Sequence, residues 1–337
     1  MSAQHRRVYI FSHPRSTSHL FYQILSTHPA IQATECNKCV STYRFGVDRQ
    51  MPSLRMEAWL EAFGLSHQEA AMQSGYQAFL DEMQREAADA EAKDKCFLAA
   101  DHIHHITTSS FINTHLNLPG RETRPTPVIV DNMLDVTHAS GTQVGNDAPS
   151  ELNDSNPTLL PDRFLFSLTP IITIRHPART TPSHLRAYQV LGLDTSGPDF
   201  PVVASFKLER MLFDAFKSRA EKEKAGSVIV IDGDKLVKDP QGQMKKVCEL
   251  LGLDEAQIKY SWDKPTMGDG KKLASAFLTT VNGSNGVILN PKYDKPVVIE
   301  EEIKGWAQEW DESTAKVLEE LVRSAMPDYE YLLQHSL

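Results

Sequence analysis

The sequence predicts an α/β fold, a three-layer α/β/α arrangement around a central parallel sheet, and three observations carry that expectation. Short apolar runs at 8–11, 95–100, 171–174 and 227–231 are each followed by helical or capped stretches, not by hairpin turns. Strands that alternate with helices pair in parallel and need cover on both faces. Two of the runs stop at a proline with basic and hydroxyl residues just beyond, at the strand ends where ligands of such sheets bind.

The first strand, Val8-Tyr9-Ile10-Phe11, breaks at Pro14 and runs into Arg15-Ser16-Thr17-Ser18-His19, after which Leu20, Phe21, Ile24 and Leu25 mark one face of a helix. A strand entering a helix N-terminus presents unpaired backbone N–H groups at the positive end of the dipole, which suits an anion. Ser16, Thr17 and Ser18 also fit ordinary N-cap positions. The run lacks G-x-x-x-x-G-K-[ST] and so is not an ordinary nucleoside triphosphatase loop.

Residues 57–92 are rich in Ala, Glu, Gln and Leu and read as covering helices, with Ser66 to Glu69 as a capping box. The strand at 95–100 ends in Asp101-His102-Ile103-His104-His105. Imidazole titrates near neutral pH and suits a general base. For His104 and His105 the expected roles are helix capping or solvent exposure. A His-x-His metal site would need a third ligand, which no motif supplies, and no metal is expected. Pro127-Val128-Ile129-Val130-Asp131 reads as a further strand, and residues 138–156, rich in Gly, Asn, Asp, Ser and Thr, as a loop insertion.

The strand 171–174 is followed by Arg175-His176-Pro177 and, eight residues after Arg175, by Ser183. Arginine offers a planar fork matched to phosphate and serine adds a donor, while an ion pair and a surface helix position are the plainer readings of the two. Arg186 reads either as a further phosphate contact or as a solvent-facing helix position. After the strand at 227–231, Met244, Val247, Cys248 and Leu251 form one apolar helix face, and 299–333, with Trp306, Trp310, Leu318 and Leu321, read as packing helices. Ser284-Asn285-Gly286 reads as a turn.

Composition bounds the function. The 337 residues, 41% of them hydrophobic, suffice for one large α/β domain spanning 1–337. No apolar run approaches the ~20 residues of a membrane span, and no signal-like segment opens the chain, so a cytoplasmic protein is expected. Four cysteines are too few for a disulfide framework, and Cys36-Asn37-Lys38-Cys39 has no second pair. A net charge of −9 argues against nucleic-acid backbones as partners, but leaves room for one small polyanion in a local basic cradle.

Taken together, the Pro14-Arg15-Ser16-Thr17-Ser18 loop, the Arg175…Ser183 pair and the strand-end turn Asp234-Lys235-Leu236-Val237-Lys238-Asp239-Pro240 resemble the sulfotransferase superfamily. The likeness is nearest to its divergent fungal branch, whose Asn-Pro-Thr…Leu-Pro-Asp segment is matched by Asn156-Pro157-Thr158-Leu159-Leu160-Pro161-Asp162. The resemblance implies a P-loop sulfotransferase-like fold. It implies 3′-phosphoadenosine 5′-phosphosulfate as donor and adenosine 3′,5′-bisphosphate as product, with a small organic, natural-product-like acceptor. It places Arg15, Ser16, Thr17, Ser18 and His19 at the 5′-phosphosulfate, Arg175 and Ser183 at the 3′-phosphate, and His102 as the base that deprotonates the acceptor hydroxyl. Arg15 would stabilise the leaving group, and Asp101 is the next candidate should His102 not serve. The chain departs from the pattern where Thr17 replaces the usual Gly and Ala100 the usual Lys. Two alternatives stay open: an enzyme of this fold redirected to a donor-independent acid–base reaction, and a non-catalytic nucleotide-binding module.

Overall fold

Alternation along the first strand decides the layering. In β1 (Arg7–Ser12) Tyr9 and Phe11 point to one apolar cluster, and Val8 and Ile10 to another. All four are 0% exposed, so both faces of the strand are covered. The same division holds in β3 (Cys96–His102), where Phe97 and Ala99 oppose Leu98 and Ala100, and in β4 (Thr169–Ile174) and β5 (Ile229–Asp232). A computed structural model describes residues 7–52, 55–132, 156–223, 228–262, 276–277, 283–288 and 295–337.

With the three-residue β2 (Ile31–Ala33), these strands form a five-stranded sheet of order β2-β3-β1-β4-β5 in which every pairing is parallel. From β1 the chain runs to β2 and back to β3 on one side, then crosses to β4 and β5 on the other, so the direction of winding switches at β1. Register then brings Ser12 beside both His102 and Thr173.

One face is covered by α1 (Ser18–Ser26), α11 (Gly233–Lys238) and α12 (Pro240–Leu251), whose Met244, Val247, Cys248 and Leu251 are buried as their spacing predicts. The region 57–92 resolves into α3 (Met56–Phe63), α4 (His67–Ala71) and α5 (Tyr76–Ala92), preceded by α2 (Cys39–Phe45). Ser66 and Glu69 form the reciprocal capping box at α4. The other face packs on α5, on α10 (Lys207–Glu223) and on the last helix, α14 (Glu312–Leu333). Between these come α6 (Ser109–His115), α7 (Asp162–Leu165), α8 (Pro177–Val190), α9 (Phe200–Ala204) and α13 (Ile299–Glu309). A third cluster joins Tyr43, Trp59 and Phe63 to Tyr188, Phe200, Trp306 and Leu318, and its Trp59 and Phe63 line the cavity described below.

Two expectations need correction. Residues 127–131 form no strand: Val128 and Val130 are 73% and 47% exposed. Pro125 and Pro127 remove donors a ladder would need, and the Val130 backbone is paired by the Gln77 side-chain amide instead. Asn156 is not part of an exposed loop. It is 2% exposed and holds a turn through Leu160 O, Asp162 Oδ1 and Thr158 N. The rest of the expected insertion, 138–155, lies outside the described residues.

Candidate active site

The C-terminal ends of β1, β3 and β4 open into a cavity of about 680 Å³. Its walls come from the β1–α1 loop, the end of β3, the start of α8, the helices α2 and α3, and Phe277, Ser284, Gly286 and Ile288.

The loop turns in an unusual way. Arg15 and Thr17 both adopt left-handed backbone conformations, φ 64° and 66°, a region that disfavours β-branched residues. The first amides of α1 receive no side-chain cap, since Thr17 spends its hydroxyl on Ser16 O. They therefore face the cavity as unpaired donors at the positive helix end. Gly233, directly after β5, sits against this loop: a Cβ there would overlap Ser16 O and Thr17 Oγ1. Nothing in the sequence reading singled out Gly233, because the contact joins segments more than two hundred residues apart.

Pro14, Arg15, Thr17, Ser18 and His19 line the cavity. Ser16 does not: its hydroxyl is turned inward to His13 O and Thr173 Oγ1. Burial, and then the charge of Arg15, lowers the His19 pKa to about 4, so His19 is neutral at physiological pH and the positive charge of the loop rests on Arg15. Arg15 donates through Nε to Ser183 Oγ at 3.0 Å and through Nη1 to Phe277 O at 2.8 Å. The two motifs that were separate in sequence are thus in direct contact. Arg175 also lines the cavity, with Nε on Asp234 Oδ1 at 2.7 Å, and Arg179 lies 3.2 Å from the other carboxylate oxygen. The plainer reading of Arg175, an ion pair, describes the structure as it stands. Arg186 is exposed and forks onto Glu309.

At the end of β3, His102 faces the cavity with Nδ1 2.6 Å from Ser12 Oγ. That hydroxyl donates to Asp101 O at 3.3 Å, and in the tautomer with the proton on Nδ1 it accepts from Nδ1–H and leaves the Nε2 lone pair free. Burial, then the fields of His19 and His13, lowers the His102 pKa to about 3. Asp101 lies elsewhere. Its carboxyl is fully buried, accepts from Tyr9 Oη and Cys39 N at 2.8 Å each, and ties β1 to α2 without reaching the cavity. Burial pushes its pKa up to about 7.

His104 and His105 are not the capping or solvent-facing residues expected. They are 4% and 3% exposed and line the cavity beside His102 and His184. Their rings lie 4.3 Å apart, 5.7 and 5.3 Å from that of His102. Burial holds His104, His105 and His184 well below the ordinary imidazole pKa. The short 3₁₀ turn Ile103–Ile106 causes this, because it rotates both rings inward where a continued strand would have sent one outward. Trp59, Phe63, Val40 and Val203 make this end of the cavity apolar. Ser284 and Gly286 also line the wall, pinned by the Ser261–Gly286 bridge.

A model of the Sulfotransferase family matches residues 7–257, about three quarters of the chain. Among curated relatives, "Sulfotransferase ppzF" of Metarhizium majus (strain ARSEF 297) is 24% identical over 340 residues, covering 97% of this chain and 95% of its own. The protein of the same name from Metarhizium rileyi (strain RCEF 4871) is 22% identical, covering 97% and 94%. Similar solved structures include the sulfotransferase domain from the curacin biosynthetic pathway (TM-score 0.42, 15% identity, 90% of this chain, 96% of that one). Another is the sulfotransferase domain of the Synechococcus PCC 7002 olefin synthase (TM-score 0.39, 14% identity, 95% and 96%).

Proposed function

The chain belongs to the sulfotransferase family, and from that premise we propose that it transfers a sulfuryl group from 3′-phosphoadenosine 5′-phosphosulfate to a hydroxyl of a small organic acceptor. The donor site is supported by the uncapped α1 amides, by the close-packed Gly233 that lets the loop hold its shape, and by Arg15 and Ser183 meeting at one wall. Arg15, Thr17, Ser18 and His19 would hold the 5′-phosphosulfate. Ser16, with its hydroxyl turned away, would contribute through its backbone. Arg175 and Ser183 would hold the 3′-phosphate, with Asp234 giving up part of its hold on Arg175.

The bound donor supplies an electrophilic sulfur on a phosphate leaving group. His102 Nε2 then takes the proton of the acceptor hydroxyl as its oxygen forms the new S–O bond, and the bond from sulfur to the 5′-phosphate oxygen breaks. Arg15 and the loop amides face the charge that grows on that phosphate, an electrostatic contribution larger in the transition state than in the ground state. Ser12 keeps the imidazole in the tautomer that can act as base. None of the four cysteines is joined in a disulfide among the described residues, and a cytoplasmic setting is part of the proposal. No described helix is long and apolar enough to cross a membrane.

The observation that carries the reading is His102 on the cavity wall with Nδ1 held by Ser12, next to the Arg15 loop. The test is product formation with and without donor, in the native protein and in His102→Ala. Loss of the base should cut the rate ~10²–10⁴-fold while adenosine 3′,5′-bisphosphate still binds in calorimetry. Turnover that ignores added donor would replace sulfuryl transfer with a donor-independent reaction. Nucleotide binding with no turnover of any acceptor would leave a binding module. The pH profile adds a sign. Protonation removes the base, so activity owed to His102 falls only as pH drops toward 3, and kcat/KM should show no His102 limb between pH 5 and 8.

A further inference from the structure

Arg44 is a buried cation in the cavity wall for which the protein supplies no counter-ion. It lies in the last turn of α2 and is 6% exposed. Its guanidinium carbon sits 3.4 Å from the centroid of the Trp59 ring and 5.8 Å from that of Tyr43. Nη1 reaches Met51 Sδ at 3.0 Å, a weak acceptor, and Nε has no partner. The other buried arginines of this neighbourhood are matched: Arg121 with Asp199 at 2.7 Å, Arg175 with Asp234 at 2.7 Å. Among the described residues no carboxylate stands within ion-pair distance of Arg44. Burial, and then a set of charges that includes Arg44, keeps His102, His104, His105 and His184 unprotonated, and burial keeps the Tyr43 and Tyr188 phenols beside it neutral.

An aromatic face offsets part of the cost of burying a cation, but less than a hydrogen-bonded anion does. Arginine is also the residue whose donor fork matches a carboxylate. The opening beside it is lined by Trp59 and Phe63, which would take the apolar body of the same ligand.

We propose that Arg44 anchors a carboxylate on the acceptor, so that the acceptor class is a hydroxylated carboxylic acid with an apolar or aromatic body. The word acceptor rests on the sulfuryl-transfer reading; the binding of the carboxylate does not. In this arrangement the carboxylate seats on Arg44 against Trp59, and the hydroxyl at the other end of the ligand reaches His102.

The test compares 3-(4-hydroxyphenyl)propionate with its primary amide, which share body and hydroxyl and differ in charge. Each is assayed with donor for kcat/KM, in the native protein, Arg44→Gln and Arg44→Lys. In parallel, 3-phenylpropionate, which has no hydroxyl to react, is titrated calorimetrically into each protein loaded with adenosine 3′,5′-bisphosphate. The native protein should prefer the acid, and Arg44→Gln should lower kcat/KM for the acid ~10- to 150-fold, the range for a hydrogen bond to a charged group, with the amide within about 3-fold. Arg44→Lys, which keeps charge but not the fork, should fall between. If neither compound is sulfated yet 3-phenylpropionate binds in an Arg44-dependent way, the sulfuryl-transfer reading fails and the anchor stands. If acid and amide are sulfated equally by the native protein, or fall together in the variants, the anchor is overturned and sulfuryl transfer stands. Should Arg44→Gln not fold, the native acid-to-amide ratio decides with the 3-phenylpropionate titration: a ratio of one with no binding overturns the proposal.

Discussion

The two strand-to-helix junctions at the head of the sheet are built on opposite plans. At β1–α1 the helix begins without a side-chain cap, and the loop before it holds two non-glycine residues at positive φ. At β4–α8 the helix begins with Pro177 and is capped by His176, whose Nδ1 accepts from Ala178 N at 3.1 Å. Burial lowers the His176 pKa to about 4, so that nitrogen stays an acceptor at neutral pH. The first junction therefore offers an anion its backbone. The second has spent its backbone donors and offers side chains, Arg175 and Ser183, already tied to Asp234 and Arg15. A site made of backbone fails when its shape is disturbed, whereas a site made of side chains fails one group at a time.

Gly233→Ala should produce the larger effect on nucleotide binding, although residue 233 contributes no side chain to the ligand. The added methyl would press on Ser16 O, which is backbone and cannot swing aside. Overpacking strain of about 1–3 kcal/mol, expressed in the loop, weakens donor binding by roughly 5- to 150-fold. Because the loop faces the 5′ end, adenosine 5′-phosphate and adenosine 3′,5′-bisphosphate should lose alike in calorimetry. A selective loss of the bisphosphate would transfer the defect to the other junction and break the contrast.

Arg175→Ala is the complementary experiment. Losing a charged hydrogen bond of about 1.5–3 kcal/mol should weaken adenosine 3′,5′-bisphosphate by ~10- to 150-fold, with adenosine 5′-phosphate nearly unchanged. Asp234 competes for the same guanidinium, which pulls the expected value toward the lower end and places this effect below that of Gly233→Ala. Equal losses for both nucleotides would sink the assignment of Arg175 to a 3′-phosphate.

What the sequence revealed of these junctions follows the same division. Strand runs ending at Pro14 and Pro177 were legible because proline and β-branched residues act locally, and so was the Ser66–Glu69 box. The three-residue β2 was not legible, since it is too short to show alternation and is defined by pairing with β3. The run at 127–131 has strand-like residues, but Pro125 and Pro127 remove donors and the Gln77 side chain takes up the Val130 backbone, so tertiary context overrode propensity there. Of the candidate site residues, Arg15, Thr17, Ser18, His19, His102, Arg175 and Ser183 reached the cavity wall. Asp101 and Ser16 did not, because period-2 alternation and the inward turn of the loop send their side chains away from it. Gly233 and His184 went unseen because each matters through a contact with a distant segment, and Arg44 because nothing local in the sequence shows that it is buried without a carboxylate. His104 and His105 required knowing that a 3₁₀ turn, and not a strand, follows β3.

Thr17→Gly asks the least of the molecule and separates the two plans most finely. Thr17 sits at φ 66°, where a residue with a Cβ costs roughly 1–2 kcal/mol. Glycine relieves that strain but gives back roughly 0.5–1 kcal/mol through the greater freedom of the unfolded chain. The net expectation is a stabilisation of about 0.5–1 kcal/mol, or a rise of roughly 1 °C in Tm for a chain of this size, read by thermal denaturation. Nucleotide affinity should hold within about 3-fold, since the anion contacts come from amides that remain. The substitution also removes Thr17 Oγ1, one of the two atoms on which an alanine at 233 would press. Residues in contact couple, so Thr17→Gly should restore part of the affinity lost in Gly233→Ala, while Arg175→Ala and Thr17→Gly should simply add. Additivity in the first pair would mean that Ser16 O alone carries the clash. A fall in Tm for Thr17→Gly would mean that the hydroxyl bond to Ser16 O, and not the amide geometry, keeps the β1–α1 junction in shape.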